Sequence, residues 1–322
     1  MHTKQHVIHW NISIVTTILL SVVTVASLNL WFDPYFVFHT TDRYPTVTAN
    51  ERFNKVEHIL HNPSKYDAFL IGSSRMGVYD PDWLKTSRPG RHFYNLSVFS
   101  GDSLDMLKML KTLKSSGVRI KEVILGIDIF PFIEKKRVRD VSMRHHPLVS
   151  MVSPFHYFLR YLFTFSPLHI MKVIEDTKDN RIFEYDFEEK GNWHAVKFER
   201  LIHENHKGFM ASQFLKKEHS KEPLHWEKRR FDELASLYQW LIQEEIKTTA
   251  FIHPVSSYQM ANAEDGTKDF FISKIRSIIP TAYEFLDDNS MTDDLNEYYD
   301  PKHYRPSIAE RIINILYPTP KD

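Results

Sequence analysis

The stretch Tyr66-Asp-Ala-Phe-Leu-Ile-Gly-Ser-Ser-Arg-Met-Gly77 decides the fold of this chain. Its first six residues form a short apolar run rich in strand-forming residues, which predicts a buried β-strand bounded by Gly72. Because Gly72 permits a tight turn, Ser73 and Ser74 follow closely on the carboxyl end of that strand. In an open parallel sheet, functional groups collect at this end of the strands.

The same alternation of strand and helix continues along the chain. A helical pattern that begins at the capping residue Ser103, for example, carries leucines at positions 104, 107, 110 and 113 and ends at Gly117. Strands that alternate with helices of this length indicate a parallel sheet with helices on both faces. We therefore predict an α/β fold, a three-layer α/β/α sandwich with a five-stranded parallel, flavodoxin-like sheet. The predicted strands are Tyr66–Ile71, Phe93–Val98, Glu122–Ile129, Thr248–Val255 and Ala282–Leu286.

The amino-acid composition is that of a globular protein and excludes several kinds of partner and site. A chain of 322 residues with 42% hydrophobic content can bury a substantial core. Its 41 basic and 41 acidic residues provide no net positive field, which argues against a nucleic-acid partner. The chain contains no cysteine, so a disulfide framework, a thiolate metal site and a cysteine nucleophile are excluded.

The N-terminal segment has the composition of a membrane helix. Between Ile12 and Leu30 no residue is charged, and about 20 such residues span the apolar core of a bilayer. Trp10 and Trp31 lie where aromatic belts form at the two membrane surfaces. A cleaved signal peptide is the alternative, since Thr24-Val-Ala26 resembles a cleavage site. The apolar run continues past that site, which favours an uncleaved anchor.

The predicted organisation is a membrane anchor at residues 1–35 and one domain at residues 36–322, on the extracytoplasmic side of the cytoplasmic membrane. Between about 132 and 221 the alternation fails, which indicates an insertion in the α/β domain. Such insertions are typical of a lid, a substrate wall or a partner-binding face. A helical extension of the core is an equally good interpretation, and the aromatic stretch Ser153–Met171 would also suit a bilayer surface.

A late pair of residues, Asp300 and His303 in Tyr299-Asp-Pro-Lys-His-Tyr304, complements Ser74. A serine hydroxyl becomes nucleophilic when an imidazole accepts its proton and a carboxylate fixes the tautomer of that imidazole. A structural alternative exists for each residue: Ser74 would cap a helix, and Asp300 would form a turn beside a surface histidine. A Gly-x-Ser-x-Gly elbow is absent, which argues against an α/β-hydrolase.

Four sequence blocks give these residues a context. In chain order they are Gly72-Ser-Ser74, Asn95-Leu-Ser-Val-Phe-Ser-Gly-Asp-Ser103, Leu125-Gly-Ile-Asp128 and Asp300-Pro-Lys-His303. In this order the chain resembles the SGNH (GDSL-like) hydrolase superfamily over residues of about 65–130 and 245–316. More narrowly it resembles the membrane-anchored bacterial branch, which includes proteins of alginate acetylation and teichoic-acid D-alanylation.

The resemblance implies a role for each matching residue. Ser74 corresponds to the nucleophile, His303 to the base and Asp300 to its carboxylate partner. The backbone N–H groups of Ser74 and Gly101 correspond to donors of the oxyanion hole.

Two positions depart from the family pattern. Ser73 stands where many members have Asp, at a position that is not catalytic. Asp128 stands near the place of an Asn that donates its amide to the oxyanion, and an ionised Asp has no proton to donate. Asp128 would serve as that donor only if burial kept it protonated. Arg75 and His253, at the ends of the first and fourth predicted strands, are candidate substrate contacts.

The resemblance and the anchor together imply a serine-dependent esterase or O-acyltransferase. Its substrate would be an acyl ester, such as acetyl, of an extracytoplasmic carbohydrate or cell-envelope polymer, and its intermediate an acyl-serine. We predict no cofactor and no metal, since there is no Gly-rich phosphate loop and His203-Glu-Asn-His206 lacks the spacing of a zinc motif. The alternative is a non-catalytic, membrane-anchored scaffold for a polytopic membrane acyltransferase, and Asp128 favours it.

Overall fold

The computed structural model describes residues 2–40, 48–133, 144–178, 184–214, 225–261 and 263–318. Its central sheet contains five strands: β1 (Ala68–Ile71), β2 (Phe93–Asn95), β3 (Glu122–Ile127), β4 (Lys247–Ile252) and β5 (Tyr283–Glu284). All neighbours pair in parallel, in the order β2-β1-β3-β4-β5. This is the flavodoxin-like order, so the predicted fold class is confirmed.

β1 ends at Ile71, as predicted, whereas the other four strands end two or three residues before their predicted ends. Asp128 and His253, which we had placed at the ends of the third and fourth strands, follow the last paired residues of β3 and β4. The backbone N–H of His253 still donates to Ile127 O at 3.0 Å. Both side chains are therefore held at the carboxyl edge of the sheet, where the chain leaves the strand ladder.

Helices flank the sheet. Those of the α/β alternation are α2 (Glu51–His61), α3 (Ser103–Ser115), α8 (Lys228–Gln243), α10 (Thr267–Ile278) and α12 (Pro306–Leu316). The predicted capping role of Ser103 is wrong, because Ser103 is already the first residue of α3. Asp102 is the N-cap, since it has an extended backbone and its side chain accepts from Asp105 N. Pro306 occupies the first turn of α12, where its missing N–H leaves no intrahelical hydrogen bond unmade. The sequence pattern also predicts helices that begin at about Pro223 and at Asn262, and both positions lie outside the described residues.

Further elements belong to the amino-terminal and central parts of the chain. They are α1 (His2–Phe32), α4 (Pro147–Ser150), α5 (Pro154–Phe163), α6 (Pro167–Lys178), α7 (Val196–Gln213), α9 (Ser257–Met260) and α11 (Asn289–Thr292). A small antiparallel hairpin, β6 (Tyr298–Asp300) and β7 (His303–Tyr304), precedes α12.

The chain divides into two compact units. The first comprises residues 1–54 and 142–182, and the second comprises residues 55–141 and 183–322. The second unit contains the sheet, in which every residue of β1 and β3 is buried. The predicted insertion is thus shared between the units. The predicted boundaries at residues 35 and 36 remain a prediction.

The first unit contains the candidate membrane helix. The part His9–Phe32 of α1 is long and apolar enough to cross a bilayer, with a mean hydropathy of 2.0. The core of this unit lies around Val37, Phe53 and Tyr157, which are all nearly inaccessible to water.

Candidate active site

Ser74 begins a short 3-10 helix, Ser74–Val78, just beyond the end of β1. A Cβ atom at Gly72 would lie 2.8 Å from Met76 Cβ and 3.1 Å from Gly126 O, so the tight turn requires glycine there. Ser73 caps the helix, as its side-chain oxygen accepts a hydrogen bond from the backbone of Arg75. The first N–H groups of a helix have no intrahelical partner, so the Ser74 N–H is left for another acceptor.

The structure brings Ser74, His303 and Asp300 together. Ser74 Oγ lies 2.8 Å from His303 Nε2, and His303 Nδ1 lies 2.8 Å from Asp300 Oδ2. The second carboxylate oxygen of Asp300 accepts the backbone N–H groups of Lys302 (2.7 Å) and His303 (2.9 Å). Burial alone would raise the pKa of Asp300, but the hydrogen bond and charge of His303 and these backbone donors outweigh burial and lower it.

The ionised state of Asp300 determines which atoms donate in the hydrogen bonds among Asp300, His303 and Ser74. An ionised Asp300 only accepts, so His303 Nδ1 carries the proton and His303 Nε2 accepts from the Ser74 hydroxyl. The arrangement is that of a hydroxyl placed against a base, with the base oriented by a carboxylate. It is chemically able to generate a nucleophile at Ser74.

Tyr304, the residue after His303, links three parts of the second unit. Its hydroxyl lies 2.7 Å from Tyr79 OH and 2.5 Å from His253 Nδ1, and all three side chains are buried. Tyr79 is the C-cap of the Ser74–Val78 helix, whereas Tyr304 lies in β7 beside the base. The three side chains form a buried series of hydrogen bonds, which we call the Tyr79–Tyr304–His253 chain. It connects the helix that contains Ser74 to the strand that contains His303.

His253 does not fit the substrate contact that we predicted for it. Its side chain is 1% exposed, and Nδ1 is occupied by Tyr304. Burial and then the nearby charge of Arg75 lower the pKa of His253 well below its usual value, so the imidazole is neutral at physiological pH. His253 supports the site from within the core.

Arg75 is likewise committed to a buried contact. Its Nη1 and the hydroxyl of Ser73 both donate to the carboxylate of Asp128, and the Arg75 and Asp128 side chains are 3% and 5% exposed. Burial lowers the pKa of Arg75 to about 10, which leaves the guanidinium charged at neutral pH. Direct contact of Arg75 with a substrate does not fit this burial.

The predicted oxyanion donors are only partly in place. Both carboxylate oxygens of Asp128 accept hydrogen bonds, so Asp128 does not fit the donor role. The backbone N–H of Gly101 donates to Val98 O at 2.9 Å, because the loop folds back tightly there. A Cβ atom at Gly101 would lie 2.8 Å from Val98 Cγ2, so glycine is needed for this packing. The Ser74 N–H lies at the start of the 3-10 helix and has no partner within that helix, so its position fits the predicted role of an oxyanion donor.

Residues 184–214 of the predicted insertion form hydrogen bonds with two segments that carry the candidate site residues. Trp193 N donates to Gly77 O at 2.7 Å, within the turn that carries Ser74. Glu199 on α7 accepts from Tyr299 OH at 2.6 Å and from two nitrogens of Arg305, at 3.1 and 2.7 Å. These contacts stabilise the β6–β7 hairpin, and they are compatible with a substrate wall and with a helical extension of the core.

Asn95 is a supporting residue whose role the sequence did not show. Its buried side-chain amide donates to Met76 O at 2.7 Å and to Tyr79 O at 2.9 Å, and its Oδ1 accepts from Ser97 N at 3.1 Å. The side chain therefore fixes the backbone of the Ser74–Val78 helix. The sequence signal was a single asparagine at the head of the second block, with no indication of its partners.

No protein-family model and no curated protein sequence matches the chain. The resemblance to the SGNH superfamily thus remains a prediction from the four sequence blocks. The geometry of Ser74, His303 and Asp300 is an independent observation beside it.

Replacing Asp128 by Asn tests the ion pair against the family pattern. Asp128→Asn would supply the amide of that pattern but would remove the carboxylate in direct contact with the buried Arg75 guanidinium, so we expect a loss of about 3–5 kcal/mol in the free energy of unfolding. Urea titration measures this loss. The matched control is Asp287→Asn, which breaks the exposed contact with Lys268 and should cost less than about 1 kcal/mol. Equal losses in the two variants would contradict the buried ion pair.

Removing one hydroxyl tests the Tyr79–Tyr304–His253 chain. Tyr304→Phe leaves two buried polar groups unpaired, at a cost of about 1–3 kcal/mol each, and frees the strand that carries His303. We expect the rate at which a serine-directed phosphonate labels Ser74 to fall about tenfold or more, since small displacements of a base are costly.

The matched control is Tyr298→Phe in the same hairpin. Tyr298 is also fully buried, but its hydroxyl donates to Met291 O at 3.0 Å, away from the Ser74 turn. This variant should lose stability and keep the labelling rate. Similar labelling rates in both variants would refute a positioning role for Tyr304.

Proposed function

We propose that this protein is an SGNH-like serine esterase or O-acyltransferase. The observation that carries the proposal is the continuous contact from Ser74 through His303 to Asp300, with both side-chain distances at 2.8 Å. The position of the site adds support. Ser74 follows β1 and Asp128 follows β3, and in this strand order the two strands flank the point where the sheet topology reverses. Ligands of open α/β sheets bind at such points.

The geometry defines a sequence of bond changes. Ser74 Oγ attacks the acyl carbonyl carbon while its proton moves to His303 Nε2, and Asp300 stabilises the imidazolium that forms. The tetrahedral species then expels the alcohol, which takes the proton from His303, and the acyl group stays on Ser74. Water or a sugar hydroxyl next gives its proton to His303 and attacks the acyl-serine carbonyl. The bond from that carbon to Ser74 Oγ then breaks, and Oγ takes the proton back from His303, so that hydrolysis or transfer restores the enzyme.

The partly formed oxyanion hole affects the expected rate. In enzymes of this type, removal of one oxyanion donor lowers kcat by about 10²- to 10³-fold. Gly101 N–H and Asp128 are both engaged elsewhere. We infer slow turnover of ordinary esters and a preference for an activated acyl donor, whose leaving group reduces the need for oxyanion stabilisation.

The proposed substrate is an acyl ester, such as acetyl, of a carbohydrate or cell-envelope polymer. The apolar helix α1 supports a single-pass attachment to the cytoplasmic membrane, and the resemblance to envelope-acylating proteins supports an extracytoplasmic site. A polytopic membrane acyltransferase is the proposed source of the acyl group. The reaction as written uses no cofactor.

Covalent labelling tests the nucleophile. The purified protein is treated with a serine-directed phosphonate, and the modified peptide is located by mass spectrometry. We expect the label on Ser74, none in Ser74→Ala, and labelling that is slower by about 10⁴-fold in Asp300→Asn, where the imidazole tautomer is lost. Absence of label from wild type, in conditions that label a known SGNH enzyme, would contradict the proposal.

A non-catalytic scaffold is the second candidate, and the engaged Gly101 N–H and Asp128 carboxylate favour it. A scaffold would recruit a membrane acyltransferase through the anchor and the insertion without chemistry at Ser74. Complementation of a deletion strain separates the two functions. An enzyme predicts that Ser74→Ala fails to complement at normal protein level, and a scaffold predicts full complementation.

A further inference from the structure

The first unit exposes a cluster of large apolar side chains on α5, on α6 and on the turn between them. We call this surface the α5–α6 face. Its residues and exposed fractions are Phe155 (69%), Phe163 (47%), Phe165 (62%), Leu168 (71%) and Met171 (56%). A water-facing surface rarely collects so many large apolar side chains unless it binds a partner or a membrane.

The opposite side of α5 explains why these residues face outward. Tyr157 is fully buried and stacks on Phe53, and Tyr161 packs edge-on against Tyr35. The inner aromatics therefore already form the core of the unit. With Tyr157 and Tyr161 inside, the helical period directs Phe155 and Phe163 away from the core.

The basic residues on α5 and α6 favour a partner with negative charge. From residue 144 to residue 174 the sequence contains Arg144, Arg160 and Lys172 but no Asp or Glu, and the two acidic residues of α6, Glu175 and Asp176, follow in its last turn. Arg160 and Lys172 are exposed on the same two helices. Helices that combine exposed Phe and Leu with basic residues bind at membrane surfaces, where anionic headgroups attract the positive charge.

A specific contact places this surface beside the end of α1. The side-chain amide of Asn29 is 1% exposed and donates to the carbonyls of Tyr161 (3.1 Å), Leu162 (2.8 Å) and Thr164 (2.9 Å). These carbonyls belong to the last turn of α5 and the residue after it. Trp31, two residues beyond Asn29, is 70% exposed, as expected of an aromatic anchor at a membrane surface.

A second contact holds the turn between the helices. Tyr35 OH lies 2.9 Å from Ser166 Oγ, so the chain just beyond α1 is fixed to the chain just before α6. Phe163 and Phe165 flank the anchored carbonyl of Thr164. They are therefore held next to the end of the candidate membrane helix, where a bilayer crossed by α1 would have its surface.

We propose that the α5–α6 face inserts into the headgroup and upper acyl region of the leaflet in which α1 ends, and that its partner is a bilayer with anionic lipids. The proposal rests on α1 crossing the membrane and is independent of any chemistry at Ser74. The protein then contacts the bilayer at two places, the span and this face. Arg160 and Lys172 contact lipid phosphates, and the apolar residues replace water contacts by lipid contacts.

The absence of native cysteine allows a direct test. Full-length chains with one substitution, Phe163→Cys or Leu168→Cys, are labelled with an environment-sensitive fluorophore and reconstituted in nanodiscs that contain phosphatidylglycerol. Two controls use the same label: Ser21→Cys in the middle of α1, and Ser273→Cys on exposed α10 of the second unit.

We expect blue-shifted emission at positions 163 and 168, loss of quenching by aqueous iodide, and quenching by lipids with a spin label near the headgroup. Position 21 should be quenched by lipids with a spin label near the chain end, and position 273 by iodide only. The double charge reversal Arg160→Glu and Lys172→Glu should weaken the lipid quenching at position 163, whereas Arg276→Glu, on α10, should leave it unchanged.

Three results would overturn the proposal. Iodide quenching at positions 163 and 168 equal to that at position 273 would show that water covers the face. Shielding from iodide without quenching by spin-labelled lipids would show that protein covers it. Lack of lipid quenching at position 21 would show that α1 does not cross the bilayer.

Discussion

The hydrogen bond between Ser74 and His303 joins segments that lie 229 residues apart in the chain, and the site depends on it. Its 2.8 Å distance is the result of two independently built elements. A short helix after β1 presents the hydroxyl, and a two-stranded hairpin presents the imidazole. The helix contains Ser74 and the hairpin contains His303. The two side chains therefore meet only because other contacts hold the helix and the hairpin together.

Several buried contacts fix that distance. Tyr304 bonds to Tyr79 at the end of the nucleophile-bearing helix, and Asn95 holds the backbone of the same helix. From the other side, Glu199 on α7 holds Tyr299 and Arg305, which enclose the hairpin residues. A side chain oriented by packing and by such secondary contacts reaches a reactive geometry without an entropic cost at each turnover.

Electrostatics at the carboxyl edge of β3 explain the unusual residue in the third block. Arg75 is charged and almost fully buried, and a buried charge needs a counter-charge. Asp128 provides that charge and also accepts from Ser73, so its carboxylate is used for structure. The structure therefore combines the hydrogen-bonded series Ser74–His303–Asp300 with an Asp128 carboxylate and a Gly101 N–H that already have partners. That combination suits transfer from an activated acyl donor better than rapid hydrolysis of simple esters.

Local patterns predicted the five parallel strands, and they singled out Ser74, Asp300 and His303, which the structure brings together. Apolar runs and motif order depend on residues that are close in the sequence, so they can be recognised without the fold. The partners of Arg75, His253 and Gly101 were not predictable in this way. Arg75 and His253 contact residues that are far away in the sequence. The Gly101 N–H contacts Val98 O because of the backbone conformation of a tight loop. Arg75 and His253 are buried and hydrogen-bonded within the protein, and the substrate contacts assigned to them from strand position remain predictions.

We propose that Ser74 Oγ is acylated during the reaction and that His303 acts as the base in this step. The most direct measurement is acid-quenched peptide mass spectrometry after the purified protein has been mixed with an activated acetyl ester. We expect acetyl on the Ser74 peptide of wild type and a loss of it in His303→Ala. Acetyl at equal levels in both proteins, or its absence from wild type while a known SGNH enzyme is acylated, would rule out acylation of Ser74 with His303 as base.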